Sequence, residues 1–412
     1  MTAEPEVKPN GDELSDEDLE LAYGSRPRAR SEIVESVRKK SVFKPWHHPV
    51  KQIVRTRQWA ALTHRLIQER TQASQSLRYF TLPGADLLDV RVLAEACDPL
   101  GVKIDYFGFN AGVDTNAEDG SQPSGEWTNA ESALRQAGKI TESSLILPDR
   151  LEDLAVGNSQ AANSLRRRPT FDVINIDACN HLAYEPTGRV HNTFSALRTL
   201  LEHQMLSRTQ WLLFITTRVH PDLLGDPALA FQDAIARNLE MSEGFSNTLA
   251  DILNTEPNEI RTSLDAAWRN QDPNFLKLYS IGLGKFLLQF FHMQPNLQAN
   301  VELASCYSYR VYGNHPDMLA IAFRITPGPT RSFDPGTGGP TPVDPLEASR
   351  AIRVLTQARK LQDLDREFAN DNDLRDSALR ETKTLLSSAN YDVEAWTRWL
   401  SDHEQRPVDL EV

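Results

Sequence analysis

Short apolar strand patterns alternate with helical patterns along 77–216, and this alternation limits the possible folds more than any other feature of the sequence. The first unit begins with the apolar run Leu77–Leu82, turns at Pro83-Gly84 and continues with apolar residues at helical spacing to Gly101. Further strand patterns follow at 103–109, 144–147, 171–179 and 211–216. Strands that alternate with helices predict a doubly wound, mainly parallel α/β sheet with right-handed crossovers.

The pattern changes after the fifth strand. Residues 226–294 hold only helical patterns, which predict a helical insertion that ends in a buried helix. Two longer strand patterns follow, VELASCYSYRVYG and MLAIAFRIT, and the short segment Asn314–Asp317 separates them. They predict a C-terminal antiparallel hairpin. The expected sheet therefore has seven strands, and the expected α/β domain spans 77–326.

The segments on either side of this domain differ from it in composition. Residues 1–25 are acidic with few large apolar side chains, which predicts a disordered tail. Residues 26–76 form a basic segment, in which the apolar positions from Val50 onward predict an amphipathic helix. Proline and glycine clusters predict a linker at 327–345. The charged helical pattern of 346–412 predicts a tail that packs on a protein partner or back on the domain.

Composition argues against several classes of protein. The formal net charge of −13 disfavours wholesale non-specific binding of nucleic acid. The cysteines show no paired spacing, which disfavours a disulfide framework or a structural zinc site; they are Cys97, Cys179 and Cys306. The sequence shows neither a signal-peptide pattern nor a long uncharged apolar run. We therefore expect a cytoplasmic protein with no metal site and no membrane association.

The order of the elements from about residue 50 to 326 resembles that of class I S-adenosylmethionine-dependent methyltransferases, which have a Rossmann-like fold. Five strand and helix units, a helical insertion and a terminal hairpin carry this resemblance. It implies that S-adenosylmethionine binds at the carboxyl ends of the first three strands. The residues that the resemblance places around the cofactor are Thr81, Gly84, Asp86, Asn110 and Asp149.

The turn after the first strand departs from the family pattern. It holds one glycine, Gly84, where the family normally has two or three, and Pro83 lacks a backbone donor. Asp86 would repel a pyrophosphate at the start of the helix but tolerates a positive sulfonium, which favours S-adenosylmethionine over a dinucleotide. The alternative interpretation is that Asp86 only caps the helix. Asn110 stands where the family places an acid, and its side chain can still accept a hydrogen bond from the ribose.

The end of the fourth strand carries the candidate catalytic residues. In methyltransferases of this family, the end of the fourth strand carries the groups that orient the methyl acceptor. The resemblance therefore implies that role for Asp177, Asn180 and His181 in this chain. Asp177 could accept a proton or hold an amino group, and His181 could act as a base near neutral pH. The alternative interpretation is a strand end whose polar residues only satisfy the following turn.

A basic segment at 38–57 is the candidate nucleic-acid surface. Lys51, Arg55 and Arg57 supply positive charge for a phosphate backbone, and Trp46 could stack on a base. The alternative interpretation is that these cations pair with acidic residues of the same protein.

Two functions remain open from the sequence. The leading hypothesis is transfer of a methyl group from S-adenosylmethionine to a nucleic-acid or protein acceptor. The alternative is a catalytically degenerate scaffold or binding subunit of a larger complex, for instance one directed at foreign nucleic acid. In either case the C-terminal helices could bind a protein partner.

Overall fold

An eight-stranded mixed sheet forms the centre of the structure. The computed structural model describes residues 39–70, 74–111, 126–293, 299–328 and 345–404, and the fold and sites below lie within 41–404. The strands are β1 (Ser76–Thr81), β2 (Lys103–Phe109), β3 (Leu145–Leu147), β4 (Val173–Asp177), β5 (Trp211–Arg218), β6 (Ala299–Tyr309), β7 (Met318–Pro327) and β8 (Gln362–Asp363). Their order across the sheet is β3-β2-β1-β4-β5-β7-β6-β8.

Most neighbouring strands run parallel. β1 pairs in parallel with β2 and β4, β2 with β3, and β4 with β5. β7 runs antiparallel to both β5 and β6, so β6 points in the same direction as the parallel strands. The prediction of a mixed α/β fold with a mostly parallel sheet is confirmed. The strands number eight rather than seven, because Gln362–Asp363 pairs in parallel with β6. A strand of two residues is too short to show an alternating pattern in the sequence.

Helices cover both faces of the sheet. Tyr79 of β1 belongs to an apolar cluster that includes residues of the helices within 49–136 and 364–388, whereas the next residue, Phe80, belongs to a second cluster with the helices within 160–358. These helices, together with α14, are α1 (Pro49–Ile53), α2 (Ala61–Gln68), α3 (Leu88–Cys97), α4 (Glu126–Gln136), α5 (Gln160–Arg166), α6 (Thr193–Gln204), α7 (Gly225–Met241), α8 (Glu243–Leu253), α9 (Ile260–Ala267), α10 (Pro273–His292), α11 (Pro345–Ala358), α12 (Leu364–Asn370), α13 (Asn372–Ser388) and α14 (Val393–Glu404).

The continuous helical run over 49–68, called the first helix below, changes its pitch halfway along. The π-helical segment Val54–Ala60 joins α1 to α2 without a break. π-helical turns are rare in proteins, and those that occur often lie at functional sites. This segment holds Gln58 against the sheet, where its Nε2 donates to Ser305 Oγ at 2.8 Å and to the Ala320 carbonyl at 3.0 Å. The first helix is therefore tied to β6 and β7 by polar contacts as well as by its apolar face.

The C-terminal helices pack back on the α/β domain. Leu386 and Trp396 share an apolar cluster with Leu88 and Val92 of α3. Trp396 is fully buried, and its indole N–H donates to the His47 carbonyl at 3.1 Å. The sequence left open whether this segment packs on a protein partner or back on the domain. In the structure, the described residues 345–404 pack on the domain.

Some sequence predictions fall outside the described residues. They concern the acidic stretch 1–25, residues 26–38 of the basic segment, residues 329–344 of the linker and residues 405–412 of the tail. Within the described ranges, no helix is both long enough and apolar enough to cross a membrane. Nor do the histidine, cysteine and carboxylate side chains of these ranges form a group of three that could hold a metal ion.

Close packing between Gly108 of β2 and the turn after β1 leads to a first prediction. A Cβ at position 108 would lie 2.8 Å from Pro83 Cδ and 2.8 Å from the Thr81 carbonyl oxygen. Because a backbone atom cannot rotate away, we expect Gly108→Ala to lower the free energy of unfolding by about 1–3 kcal/mol. Urea denaturation would measure this loss.

The matched control is Gly84→Ala in the turn itself. A Cβ at position 84 would have nothing within 4 Å, so this variant should unfold at nearly the same urea concentration as the parent. Equal stability of the two variants would contradict the proposed contact between Gly108 and the turn.

Candidate functional site

Three strands that point the same way end at one edge of the sheet. Thr81 is the last residue of β1, Asp177 the last of β4 and Tyr309 the last of β6. The strand order reverses between β1 and β4. In doubly wound sheets, ligands bind at such a reversal, outside the carboxyl ends of the strands. The side chains at this edge therefore form the candidate functional site.

A buried ion pair joins the first helix to this edge. Lys51 Nζ lies 2.5 Å from Asp177 Oδ1 and 3.4 Å from the Tyr309 hydroxyl. The lysine side chain is 5% exposed and that of Asp177 is 25% exposed. The Lys51 ammonium also lies 4.8 Å from the centre of the Trp59 ring, where it makes a cation–π contact. Burial lowers the pKa of Lys51, and the charge of Asp177 opposes that shift.

Arg55 lies one helical turn after Lys51 and is also buried. It is 3% exposed, and its Nε has no hydrogen-bond partner within the described chain. Burial lowers the pKa of Arg55, whereas the charges of Asp177 and Asp89 raise it. Further buried polar atoms in the same part of the fold lack a partner among the described residues: Gln52 Oε1, Gln58 Oε1, Asn175 Oδ1 and Thr216 Oγ1. Buried polar groups are rarely left unsatisfied, so each of these atoms requires a partner such as an ordered water molecule.

A hydrogen-bonded chain of side chains occupies the end of β1. The hydroxyls of Thr81 and Tyr79 donate to Asp89 Oδ2 at 2.5 and 2.8 Å. Asn175 Nδ2 donates in turn to the Tyr79 hydroxyl at 2.9 Å. Burial raises the pKa of Asp89, and the two hydroxyl donors counteract that shift. The Thr81 hydroxyl is thus directed into the protein and holds α3 against β1.

Two further predicted cofactor positions are bonded within the chain. Asp86 Oδ2 accepts a hydrogen bond of 2.5 Å from the hydroxyl of Tyr391, which lies between α13 and α14. Asn110 Nδ2 donates to the Pro83 carbonyl at 3.0 Å, which links the ends of β2 and β1. The alternative interpretation of Asp86 as the helix cap is wrong, because α3 begins at Leu88 and its cap residue is Leu87.

Gly84 and Asp149 differ from these positions. Gly84 is exposed in the turn after β1. Asp149 follows β3, and its Oδ2 is buried with no hydrogen-bond partner in the described chain. Burial raises the pKa of Asp149, and the nearby charge of Asp153 raises it further. Asp149 is therefore the predicted cofactor residue whose carboxylate remains available to another group.

The residues after β4 have separate surroundings. Asp177 contacts Lys51, whereas the Asn180 carbonyl accepts hydrogen bonds from the Thr217 hydroxyl and from the backbone of Arg218. Burial lowers the pKa of His181, and the positive charge of Arg218 lowers it further, which favours the neutral imidazole.

Cys179 is an exposed free cysteine whose position does not favour the thiolate. The pKa of its thiol is raised, first by desolvation and then by the charge of Asp177, so the thiolate that a nucleophile needs is disfavoured. Its backbone carbonyl accepts a hydrogen bond from the Tyr312 hydroxyl at 3.1 Å. The ring of Tyr312 lies under the Arg218 guanidinium, 4.1 Å from the ring centre.

The candidate nucleic-acid residues divide into two pairs. Lys51 and Arg55 are buried at the ion pair described above. Arg57 is exposed, and Trp46 is 42% exposed. Contact with a nucleic acid through this segment stays a prediction, and solvent reaches only the second pair freely.

Sequence reasoning missed most of the partners in this site. Asp89 is hidden within the apolar pattern of α3, and an acid on a buried helix face is a signal that could have been noticed. Tyr309 and Tyr391 come from distant parts of the chain, and no local pattern connects them with Lys51 or Asp86.

The fold and this edge of the sheet define a mixed α/β protein compatible with a Rossmann-like fold. The chain belongs to the PP_RS20740-like family, whose model matches residues 40–401. That match includes the first helix, the whole sheet and nearly all of the C-terminal helices. No curated protein matches the chain.

The Lys51–Asp177 pair gives a prediction about stability and pH. Asp177→Asn leaves a buried ammonium without its counter-charge, so we expect the free energy of unfolding at pH 7 to fall by about 2–3 kcal/mol. Without Asp177 the pKa of Lys51 in the folded state falls further below its unfolded value. Between those two pKa values the unfolded state binds more protons, so stability rises with pH and part of the loss is recovered by pH 9.

Urea denaturation at pH 7 and pH 9 would measure both effects. The matched control is the double variant Lys51→Met/Asp177→Asn, which removes both charges and should be more stable at pH 7 than Asp177→Asn alone. An Asp177→Asn protein as stable as the parent at both pH values would contradict the pairing.

Proposed function

We propose that the protein is a methyltransferase-like binding subunit that has lost methyl transfer and acts as part of a larger complex. The observation that carries this proposal is that three of the predicted cofactor side chains form hydrogen bonds within the chain itself. Thr81 is bonded to Asp89, Asn110 to the Pro83 carbonyl, and Asp86 to Tyr391.

The arrangement of the sheet supports the methyltransferase-like part of the proposal. The resemblance drawn from the sequence requires β6 to lie beside the neighbour of β5. β7 pairs with β5 along Trp211–Arg218 and with β6 along Ala299–Tyr309. A hairpin at this position, in which β7 runs against the other strands, is what the resemblance implies. Fold alone does not determine function, so the distinction between an enzyme and a binding subunit rests on the residues of the site.

The described residues at the first turn fit S-adenosylmethionine poorly. The ligand would need free polar side chains for its amino acid part and its ribose, but the Thr81 hydroxyl and the Asn110 amide are already committed. Pro83 offers no backbone N–H. Displacing these contacts would leave buried groups unsatisfied, which costs about 1–3 kcal/mol for each group.

The C-terminal helices reinforce this turn from outside. Arg91 of α3 donates through Nη1 to the Ser388 carbonyl at 3.0 Å and through Nε to the Asp86 carbonyl at 2.9 Å. With the Tyr391–Asp86 hydrogen bond, these contacts tie the turn to the segment that joins α13 to α14. A cofactor that approaches Asp86 would have to compete with Tyr391.

The side chains after β4 also favour binding over catalysis. Asp177 is held by Lys51, and the raised pKa of Cys179 disfavours the thiolate. The Nδ1 of His181 has no partner within the described chain that would orient the ring as a general base. A methyl transfer needs little acid–base chemistry, but it does need a bound and positioned donor.

Calorimetric titration with S-adenosylmethionine tests the proposal. We expect no saturable heat with the parent protein at millimolar ligand, since the polar groups of the turn are engaged. Tyr391→Phe should behave the same way, because Thr81 and Asn110 keep their contacts when Asp86 is released. A characterised methyltransferase in the same buffer serves as the positive control.

Gly84→Arg distinguishes real binding at this turn from heat produced elsewhere. Position 84 has open space around it, so the variant is expected to fold. Saturable binding by the parent protein that disappears in Gly84→Arg would overturn the proposal and support the methyltransferase hypothesis.

A further inference from the structure

We propose that a groove between the first helix and the C-terminal helices binds a nucleotide-type ligand, one that carries phosphate together with an aromatic base. The groove has a volume of about 930 Å³. Its walls come from 43–51, from the end of β6 and the loop that follows, and from α12, α13 and α14. This site is separate from the turn after β1, and the inference does not rest on the proposed function.

The lining of the groove is strongly positive. Five lysine or arginine side chains line it, and Asp365 is the one carboxylate among its described lining residues. Two of the five cations are compensated, because Lys51 pairs with Asp177 and Arg310 with Asp365. The remaining three make no ion pair with a described residue; they are Lys44, Arg375 and Lys383.

This excess of positive charge favours the binding of an anionic ligand. The chain as a whole carries a formal charge of −13, so a cluster of uncompensated cations is not a consequence of general composition. The three cations come from two separate parts of the chain, with Lys44 before the first helix and the other two on α13. Cations that converge on one groove from different elements bind phosphate well, because the attraction of each charge adds to that of the others.

Aromatic rings line the same groove. Phe43 and Trp399 are both half-buried, and their ring centres lie 5.8 Å apart. Phe43 also packs on Tyr391, with 5.7 Å between the ring centres. The packing fixes these rings while it leaves part of their surface open to the groove. An aromatic surface beside cations matches the chemistry of a base with its phosphate.

The size of the groove favours a nucleotide over a bare anion. Its volume of about 930 Å³ lies near the upper end of the range of about 300–1,000 Å³ for pockets that hold small molecules. Inorganic phosphate would use the cations and leave the aromatic rings without a contact. A free nucleotide and the end of a single nucleic-acid strand share the required chemistry, and the experiment separates them.

Two probes test the groove at low salt with the full chain. The first is ATP in a calorimetric titration, and the second is a fluorescein-labelled single-stranded oligothymidylate followed by fluorescence anisotropy. We expect saturable binding of at least one of them. ATP binding alone identifies a free nucleotide, and oligonucleotide binding that weakens steeply with salt identifies a strand. If neither binds at millimolar ATP or at high micromolar oligonucleotide, the proposal is overturned.

Charge reversal on α13 ties the binding to the groove. Lys383→Glu should weaken binding by about tenfold, since it replaces an attractive contact by a repulsive one. The matched control is Arg380→Glu, an exposed position on the same helix that does not line the groove, and it should change affinity by less than about twofold. Lys44→Glu should reproduce the effect of Lys383→Glu from another element. Equal losses in Lys383→Glu and Arg380→Glu would overturn the proposal, because binding would then follow overall charge.

Competition experiments test the aromatic part of the inference. Inorganic phosphate at the same concentration should displace the bound probe far less well than a nucleotide does. Trp399→Leu should reduce the affinity for the nucleotide while the weak affinity for phosphate is unchanged, with urea denaturation to establish that the variant is folded. If phosphate or polyglutamate competes as well as the nucleotide, the groove recognises negative charge only and the inference is wrong.

Discussion

The buried ion pair between Lys51 and Asp177 is the contact on which the carboxyl edge of this sheet depends. An ammonium under a helix is costly unless a counter-charge meets it, and Asp177 at the end of β4 provides that charge at 2.5 Å. The pair fixes the position of the first helix over the sheet. Gln58 reinforces that position through its hydrogen bonds to β6 and β7. Asp177, which the sequence suggested for acceptor binding, and Lys51, which it suggested for nucleic-acid binding, thus belong to one structural contact.

Hydrogen bonds within the chain engage several polar side chains at the same edge. The Thr81 hydroxyl is directed to Asp89, and Asn110 is directed to the carbonyl of Pro83. Tyr391 reaches Asp86 from a position 305 residues later in the chain. Each contact satisfies a polar group at the first turn, so together they stabilise the turn. The groove between the first helix and the C-terminal helices lies next to Tyr309, and most of its charged lining residues are positive.

The strands and the helical insertion could be predicted because burial on one or both faces of a sheet leaves a local pattern. Trp211–Arg218 and Met318–Pro327 each read as apolar runs, and both are strands. The sequence also placed Asp177 and Thr81 at strand ends, where the structure has them. The short strand Gln362–Asp363 and the π-helical segment Val54–Ala60 could not be predicted, since each depends on contacts with distant residues rather than on a repeating pattern.

The sequence by itself determined the type and order of the helices and strands, because periodic burial produces a regular pattern of apolar and polar residues among neighbours in the chain. It also established that a lysine and an arginine one turn apart lie on the first helix. Only the tertiary structure decided that Lys51 and Arg55 face the interior and that the C-terminal helices cover the first turn. The physical reason is that a charged side chain can be solvated or paired. Which of the two occurs depends on a partner such as Asp177, which is 126 residues away in the chain.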